Sequence, residues 1–215
     1  RRARSLLVFF TAINMVNYVD RYVLAAVLEP LRKELGLTDQ QLGWLPWVFL
    51  VVYMMTAPLF GALAERFSRT RLVAAGIAIW SLATAGAAFA HGFVDLLVLR
   101  SLVGVGEAAY ATLGPAMLAD IFPEDRRAAR FTWFYLAIPV GSALGYGLGG
   151  LVGGTWGWRA SFLVAGVPGL ALALWMAREK DPERGAMDGA PDLAAALPYG
   201  RRVLAIFRNR IWIAC

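Results

Sequence analysis

LLVFFTAINMVNYVDRYVLAAVL, residues 6–28, is long and apolar enough to cross a membrane, yet it carries Asn14, Asn17, Asp20 and Arg21 in its interior. A charge at the bilayer centre costs about 2.5–3.5 kcal/mol on insertion scales, so an acid beside a base within one span points to a polar or ionic cargo. Residues 93–119, FVDLLVLRSLVGVGEAAYATLGPAMLA, repeat the pattern with Arg100 and Glu107. These two stretches make the chain read first as a membrane transporter.

The remainder of the 215 residues agrees with that reading. Hydrophobic side chains make up 59% and charged ones 17%, with a mean hydropathy of +0.58, more apolar than a soluble domain of this length. A span needs roughly 20 mostly apolar residues, and the runs at 42–64, 72–90, 131–155 and 160–177 also qualify. The expected fold class is an all-α membrane protein, with a six-helix transmembrane bundle over residues 1–177. Residues 178–208, rich in charges, Pro, Gly and Ala, read as a cytoplasmic linker with a short amphipathic helix inside 191–207. Residues 209–215 read as the truncated start of a seventh span, so the chain is expected to be half of a larger protein.

Lys and Arg collect on the cytoplasmic side of membrane proteins. Arg1, Arg2 and Arg4, then Arg66, Arg69 and Arg71, then Arg126, Arg127 and Arg130, then Arg178, Lys180 and Arg184 fall on one side, against Arg32, Lys33 and Arg159 on the other. Both ends of the bundle are thus expected in the cytoplasm, with the protein in a bacterial inner membrane. The formal net charge of +6 follows from this bias and does not mark nucleic acid as a partner. With one cysteine, Cys215, and one histidine, His91, neither a disulfide nor a metal site is expected. Gly104-Val-Gly106 and the glycines from Gly147 to Gly153 look like dinucleotide fingerprints, but they sit inside spans rather than in a βαβ unit. No hydrolase or phosphate-loop pattern occurs. No cofactor and no enzymatic activity are expected; a membrane receptor is a remote alternative.

On the outward side, Glu29 to Gln41 reads as a short amphipathic cap lying on the headgroups, and Trp44, Trp47, Trp156 and Trp158 as an interfacial aromatic belt. Six spans divide into two triplets of opposite orientation, a 3+3 inverted repeat in which the first and fourth spans correspond. All four intramembrane charges fall on that pair. At ~1.5 Å per residue, Asp20 lies about 9 Å and Arg100 about 10 Å from the outer face of a ~30 Å core, so Asp20, Arg21 and Arg100 share a depth. An Asp20–Arg100 ion pair can form there. Glu107, two turns further along, is expected about 10 Å nearer the cytoplasm and without a basic partner, where it can carry a proton, contact a headgroup directly or serve as a hydrogen-bonded structural acid. Asn14 and Asn17, on the helix face that also carries Arg21, either extend a polar lining or hydrogen-bond between helices. Gly141, Gly145, Gly149 and Gly153, at four-residue spacing, predict close helix packing, and Pro139 a bending point.

The loop Gly61-Ala-Leu63-Ala-Glu65-Arg66-Phe-Ser68-Arg69-Thr-Arg71 resembles the signature loop of the major facilitator superfamily. That resemblance implies a gating role for Glu65, Arg66 and Arg69. The run from Leu96 to Ala108 resembles the superfamily's fourth-helix motif, in which the arginine is linked to proton coupling. More narrowly, Asn17-Tyr18-Val-Asp20-Arg21, Gly104-Val-Gly106-Glu107-Ala-Ala-Tyr110 and Ala116-Met-Leu-Ala-Asp120-Ile-Phe-Pro123 are similar to the Spinster branch. This implies the N-terminal six-helix bundle of a twelve-helix major facilitator fold, working by alternating access. It implies a single-tailed lipid cargo, lysophospholipid or sphingolipid-like, with proton coupling through Glu107 and Asp20. Tyr18 and Tyr110 would join Arg21, Arg100, Asn14 and Asn17 around the substrate. A proton-coupled carrier of small organic anions, sugars or drugs is the alternative. The expected partners are the amphiphilic substrate, protons, the bilayer and the protein's own C-terminal bundle, in a monomer.

Overall fold

The computed structural model of the chain describes residues 2–187. The expected amphipathic stretch within 191–207 and the start of a seventh span lie outside the described residues. Seven helices follow in order: α1 (Arg2–Ala26), α2 (Leu28–Leu35), α3 (Asp39–Leu63), α4 (Arg69–Gly86), α5 (Phe93–Ile121), α6 (Glu124–Trp156) and α7 (Trp158–Arg178), with a short 3-10 turn at Ala87–Phe89. Helices α3 to α7 are long and apolar enough to cross a membrane. Helix α1 is equally long at 25 residues, but Asn14, Asn17, Asp20 and Arg21 lower its apolarity. It packs as the sixth member of the bundle all the same, against α5, α6 and α7.

The packing pattern carries the inverted repeat. Exchanging α1 with α5, α3 with α6 and α4 with α7 turns the α1–α6 contact into α5–α3 and the α4–α5 contact into α7–α1, both of which exist. The α1–α5 and α4–α7 contacts map onto themselves. The α6–α7 contact is stronger than its α3–α4 counterpart, because α6 and α7 meet at a one-residue turn on Gly157, whose φ of 85° suits glycine. Glycine spacing permits a close crossing. Along α6, a Cβ on Gly141 would sit 2.6 Å from Met15 O, and one on Gly145 2.8 Å from Val19 O, so these glycines let α1 lie against the backbone of α6. Pro139 does not end α6, which runs helical for 33 residues through it.

The outward connection contains the short amphipathic helix expected there, with its apolar face turned onto the bundle. Helix α2 starts straight after α1 and ends on Gly36 in the left-handed region (φ 63°), and Thr38 with Gln41 forms a capping box that opens α3. Leu31 and Leu37 are buried in a second apolar core with Trp158 and Phe162. Glu34 accepts a hydrogen bond from Trp158 Nε1 at 2.7 Å and pairs with Arg159, whose guanidinium stacks on the Trp158 ring. Arg159 also donates to Ala90 O at 3.3 Å. Helix α2 is therefore clasped onto the α6–α7 turn. Trp158 belongs to this clasp and is buried, whereas Trp44, Trp47 and Trp156 remain exposed, as an interfacial belt requires.

Candidate functional site

A cavity of about 200 Å³ opens among α1, α3, α5 and α6. Its polar lining comes from Asn14, Asn17 and Arg21 on α1. Tyr18, Tyr53, Tyr110, Phe134 and Tyr135 make the aromatic wall. Asn14, Asn17, Tyr18, Arg21 and Tyr110, all expected around a substrate, are thus gathered on one cavity. Asn14 Nδ2 donates to Phe134 O at 3.0 Å and Tyr110 Oη to Phe10 O at 2.6 Å, so both also cross-link the helices that form the walls. Arg100 departs from expectation: it does not line this cavity and is buried behind it.

The ion pairing is also different. Arg21 pairs with Glu107, both Nε (3.2 Å) and a terminal nitrogen donating to the same Oε2. Glu107 therefore has a basic partner and lies within reach of Arg21 rather than a separate step nearer the cytoplasm. An arginine side chain spans more than a helical turn, so heights of backbone atoms do not decide which groups meet. Asp20, fully buried, makes no ion pair with Arg100: both its carboxylate oxygens lack hydrogen-bond partners, as does Arg100 Nε. The carboxylate faces Thr84 and Trp80 without reaching hydrogen-bonding geometry with either.

Phe49 of α3, which sequence reading did not single out, contacts both cations. The Arg21 guanidinium lies 4.9 Å from its ring centroid and that of Arg100 5.2 Å. Such cation–π contacts help hold each arginine in a site of low polarity. Four intramembrane charges thus form one cluster with two sides. Arg21 and Glu107 stand at the cavity; Asp20 and Arg100 stand behind it.

At the arginine-rich end, Arg69 is buried and makes four contacts. Its backbone N–H donates to Asp181 Oδ2 at 2.7 Å and its guanidinium to Asp181 Oδ1 (3.0 Å), Asp120 Oδ2 (2.6 Å) and Pro182 O (2.6 Å). Gly185 N–H donates to Asp120 Oδ1 at 2.9 Å, and Arg184 to Ala64 O. Glu65 and Arg66, the other expected gating residues, are exposed on the same loop. The first residues after α7 are therefore strapped across the end of the bundle rather than hanging free. Asp120 and Asp181 were not identifiable as partners from sequence, since 51 and 112 residues separate them from Arg69 and no short motif spans that distance.

The arrangement is that of a bundle organised around a charged, half-enclosed centre, and the family follows. Residues 10–215 match the Major Facilitator Superfamily model, and the chain belongs to that superfamily. Within it the likeness is to the Spinster type. The chain is 37% identical to "Protein spinster" of Drosophila melanogaster over 92% of its own length and 33% of that relative. It is 41% identical to human "Protein spinster homolog 1" over 86% of its length and 36% of that relative. It superposes on a crystal structure described as a bacterial homolog of the human lysosomal transporter Spinster, in an inward-facing and unoccupied conformation, with a TM-score of 0.83 and 25% identity, covering 96% of this chain and 48% of that one. The chain thus spans about a third of the relatives' length and about half of the solved chain.

Proposed function

We propose that the protein of which this bundle is a part is a secondary transporter working by alternating access, which moves a single-tailed lipid with an ionic head, lysophospholipid or sphingolipid-like, coupled to protons. The Arg21–Glu107 pair at the cavity wall carries this reading. Arg21 is the cation that both faces the cavity and is bound to a buried acid, so an anionic head and Glu107 compete for one guanidinium. Protonation of Glu107 removes its charge and releases Arg21 to a phosphate or carboxylate, which its planar fork suits. Loss of that proton restores the pair and expels the head. The aromatic wall offers the apolar surface that a tail needs, and Asn14 and Asn17 offer polar contacts near the head. Asp20 and Arg100 behind the wall keep the cluster close to neutral.

Arg69, with Asp120 and Asp181, is the buried anchor of the gating loop in this reading. It ties that loop to α5 and to the segment after α7, so the basic end moves as one body when the bundles rock. The excess of arginine at this end supports its placement in the cytoplasm.

The test is transport by the full-length protein in vesicles, comparing lysophospholipid, sphingosine phosphate, a sugar and a cationic drug with and without a proton gradient. Single-tailed anionic lipids are expected to move, and Glu107→Gln is expected to keep lipid binding while losing gradient dependence. Unchanged gradient dependence in Glu107→Gln removes the acid from the mechanism; preferential movement of the sugar or the drug overturns the lipid assignment.

A further inference from the structure

The first turn of α4 carries two arginines in opposed surroundings. Arg69 is buried and bound to Asp120 and Asp181. Arg71, about 200° further round the helix, is exposed and has no ion-pair partner among the described residues. It stands at the end of a groove of about 430 Å³ between α4 and α7. Ala74, Ala75 and Ala78 line one side of that groove, and Ala173, Leu174 and Ala177 the other. Arg178, also exposed and unpaired among the described residues, follows Ala177 at the same end. The acids that come next in the chain, Glu179 and Asp181, are occupied by Trp175 Nε1 and by Arg69. Helices α4 and α7 meet closely further out, where a Cβ on Gly166 would stand 2.6 Å from Ala85 N and 2.7 Å from Ser81 O. Toward the basic end the facing alanines are too short to fill the space between two helices, and the gap stays open.

Helix packing fixes what this groove faces. The spans pack as an arc in the order α3, α5, α4, α7, α1, α6, and its two ends, α3 and α6, make no extensive contact with each other among the described residues. The cavity lies toward that gap, where the second bundle of a two-bundle transporter stands. The α4–α7 pair is the middle of the arc, on the back, so the bilayer covers it. From Arg71 to Ala78 the groove runs about 10 Å at ~1.5 Å per residue, less than half of a ~30 Å core. It is therefore open to one leaflet, the one at the arginine-rich end. Its apolar floor takes a hydrocarbon chain, and its two free guanidiniums take an anion, for which the arginine fork suits a phosphate. Basic pockets between membrane helices on the cytoplasmic side bind anionic lipid heads in this way. A second copy of the chain on this face would set like arginines opposite one another across a two-fold axis, which charge opposes.

We propose that the α4–α7 groove binds an anionic phospholipid of the cytoplasmic leaflet, one acyl chain lying along Ala74, Ala75 and Ala78 and the phosphate bridging Arg71 and Arg178. The site shares no residue with the cargo cavity among α1, α3, α5 and α6, and it stands whether or not transport is coupled to protons. A phosphate held by both arginines ties the start of α4 to the end of α7. The Arg69–Asp181 pair joins those same ends from inside. Bound lipid thereby adds to the hold of the strap that follows α7, as any ligand that prefers the folded state stabilises it.

The test uses the full-length protein in a mild detergent, given phosphatidylglycerol or phosphatidylcholine with identical chains, with bound lipid counted by native mass spectrometry. Wild type is expected to hold phosphatidylglycerol about 30-fold more tightly, the weight of two arginines near an anionic group. The double variant Arg71→Gln/Arg178→Gln is expected to lose that preference, and since both side chains are exposed it keeps the fold. Ala75→Phe fills the groove without changing its charge and is expected to release the lipid. Arg21→Gln, at the cargo cavity, is expected to leave it bound, which separates this site from cargo uptake. A phosphatidylglycerol with a photoreactive group on one chain is expected to label α4 and α7. An equal preference in wild type and the double variant overturns the proposal, as does labelling confined to the helices of the cargo cavity. A dimer that Ala75→Phe dissociates also overturns it, giving the groove to a second copy of the chain. Should Ala75→Phe misfold, the double variant and the labelling decide. Thermal unfolding reads the bridge separately: phosphatidylglycerol is expected to raise the unfolding temperature of wild type and not of the double variant, and an equal rise in both overturns it.

Discussion

Replacing Gly145 by alanine tests the central packing claim and its link to function. A Cβ at this position would stand 2.8 Å from Val19 O and 2.9 Å from Tyr22 Cβ, where ordinary contact begins at 3.4 Å. The shortfall of about 0.6 Å (3.4 less 2.8) is against backbone, which cannot rotate away, so α1 and α6 must part by a similar amount; over-packing of this kind costs about 1–3 kcal/mol. Alanine also favours the helix by about 0.8–1.0 kcal/mol over glycine, which offsets part of that cost. Gly147, two residues on, has nothing within 4 Å of its would-be Cβ, so Gly147→Ala isolates the propensity gain. The two variants are therefore expected to differ by about 1–3 kcal/mol, with Gly147→Ala at or above wild-type stability. The assay is thermal unfolding of the full-length protein in one detergent, both variants side by side, followed by lipid transport in vesicles. Val19 immediately precedes Asp20 and Arg21, so the displacement reaches the charged cluster, and misplacement by about 1 Å near a site can cost on the order of 10²-fold in rate. Equal stability and equal transport in the two variants would refute the reasoning.

Tyr110→Phe removes the hydroxyl that donates to Phe10 O at 2.6 Å; it is expected to cost about 1 kcal/mol and to loosen the cavity wall, read as a lower unfolding temperature with the fold retained. The outward clasp predicts a pH dependence. Hydrogen bonds from Arg159 and Trp158 hold the exposed Glu34 carboxyl below its ordinary value of 4.5. A depressed folded pKa contributes stability above the unfolded value, and that contribution is lost as the pH falls through the folded one. The stability gap between wild type and Glu34→Gln is thus expected at pH 7 and should narrow below pH 4.5; a gap independent of pH refutes the clasp as a charged contact.

The spans were legible because length and apolarity are one-dimensional signals, and the charged members of the cluster because ionisable residues within such runs are rare. Pairing was not legible. Height along a span follows from residue count, but the face does not, and at about 100° per residue Asp20 and Arg21 diverge to separate surroundings. Counting turns therefore joined Asp20 to Arg100 and left Glu107 alone, whereas the reach of the Arg21 side chain made the other pair. Phe49, Thr84 and Trp80 gave no signal, being ordinary residues of apolar helices until the fold sets them beside charges. The clasp was hidden for a similar reason: Glu34 and Arg159 each read as a solvated interfacial charge, and 125 residues separate them.

Helix α3 sets Phe49 against both guanidiniums and supplies Tyr53 to the cavity, yet among the described residues it rests mainly on α5 and buries only Leu45 and Phe49. A panel fastened along a single edge can swing with little loss of packing. Any such swing carries the Phe49 ring away from Arg21 and Arg100 together and removes the cation–π contact that each makes with it. Among the described residues, the span with the fewest packed neighbours is thus the one that touches both cations of the centre.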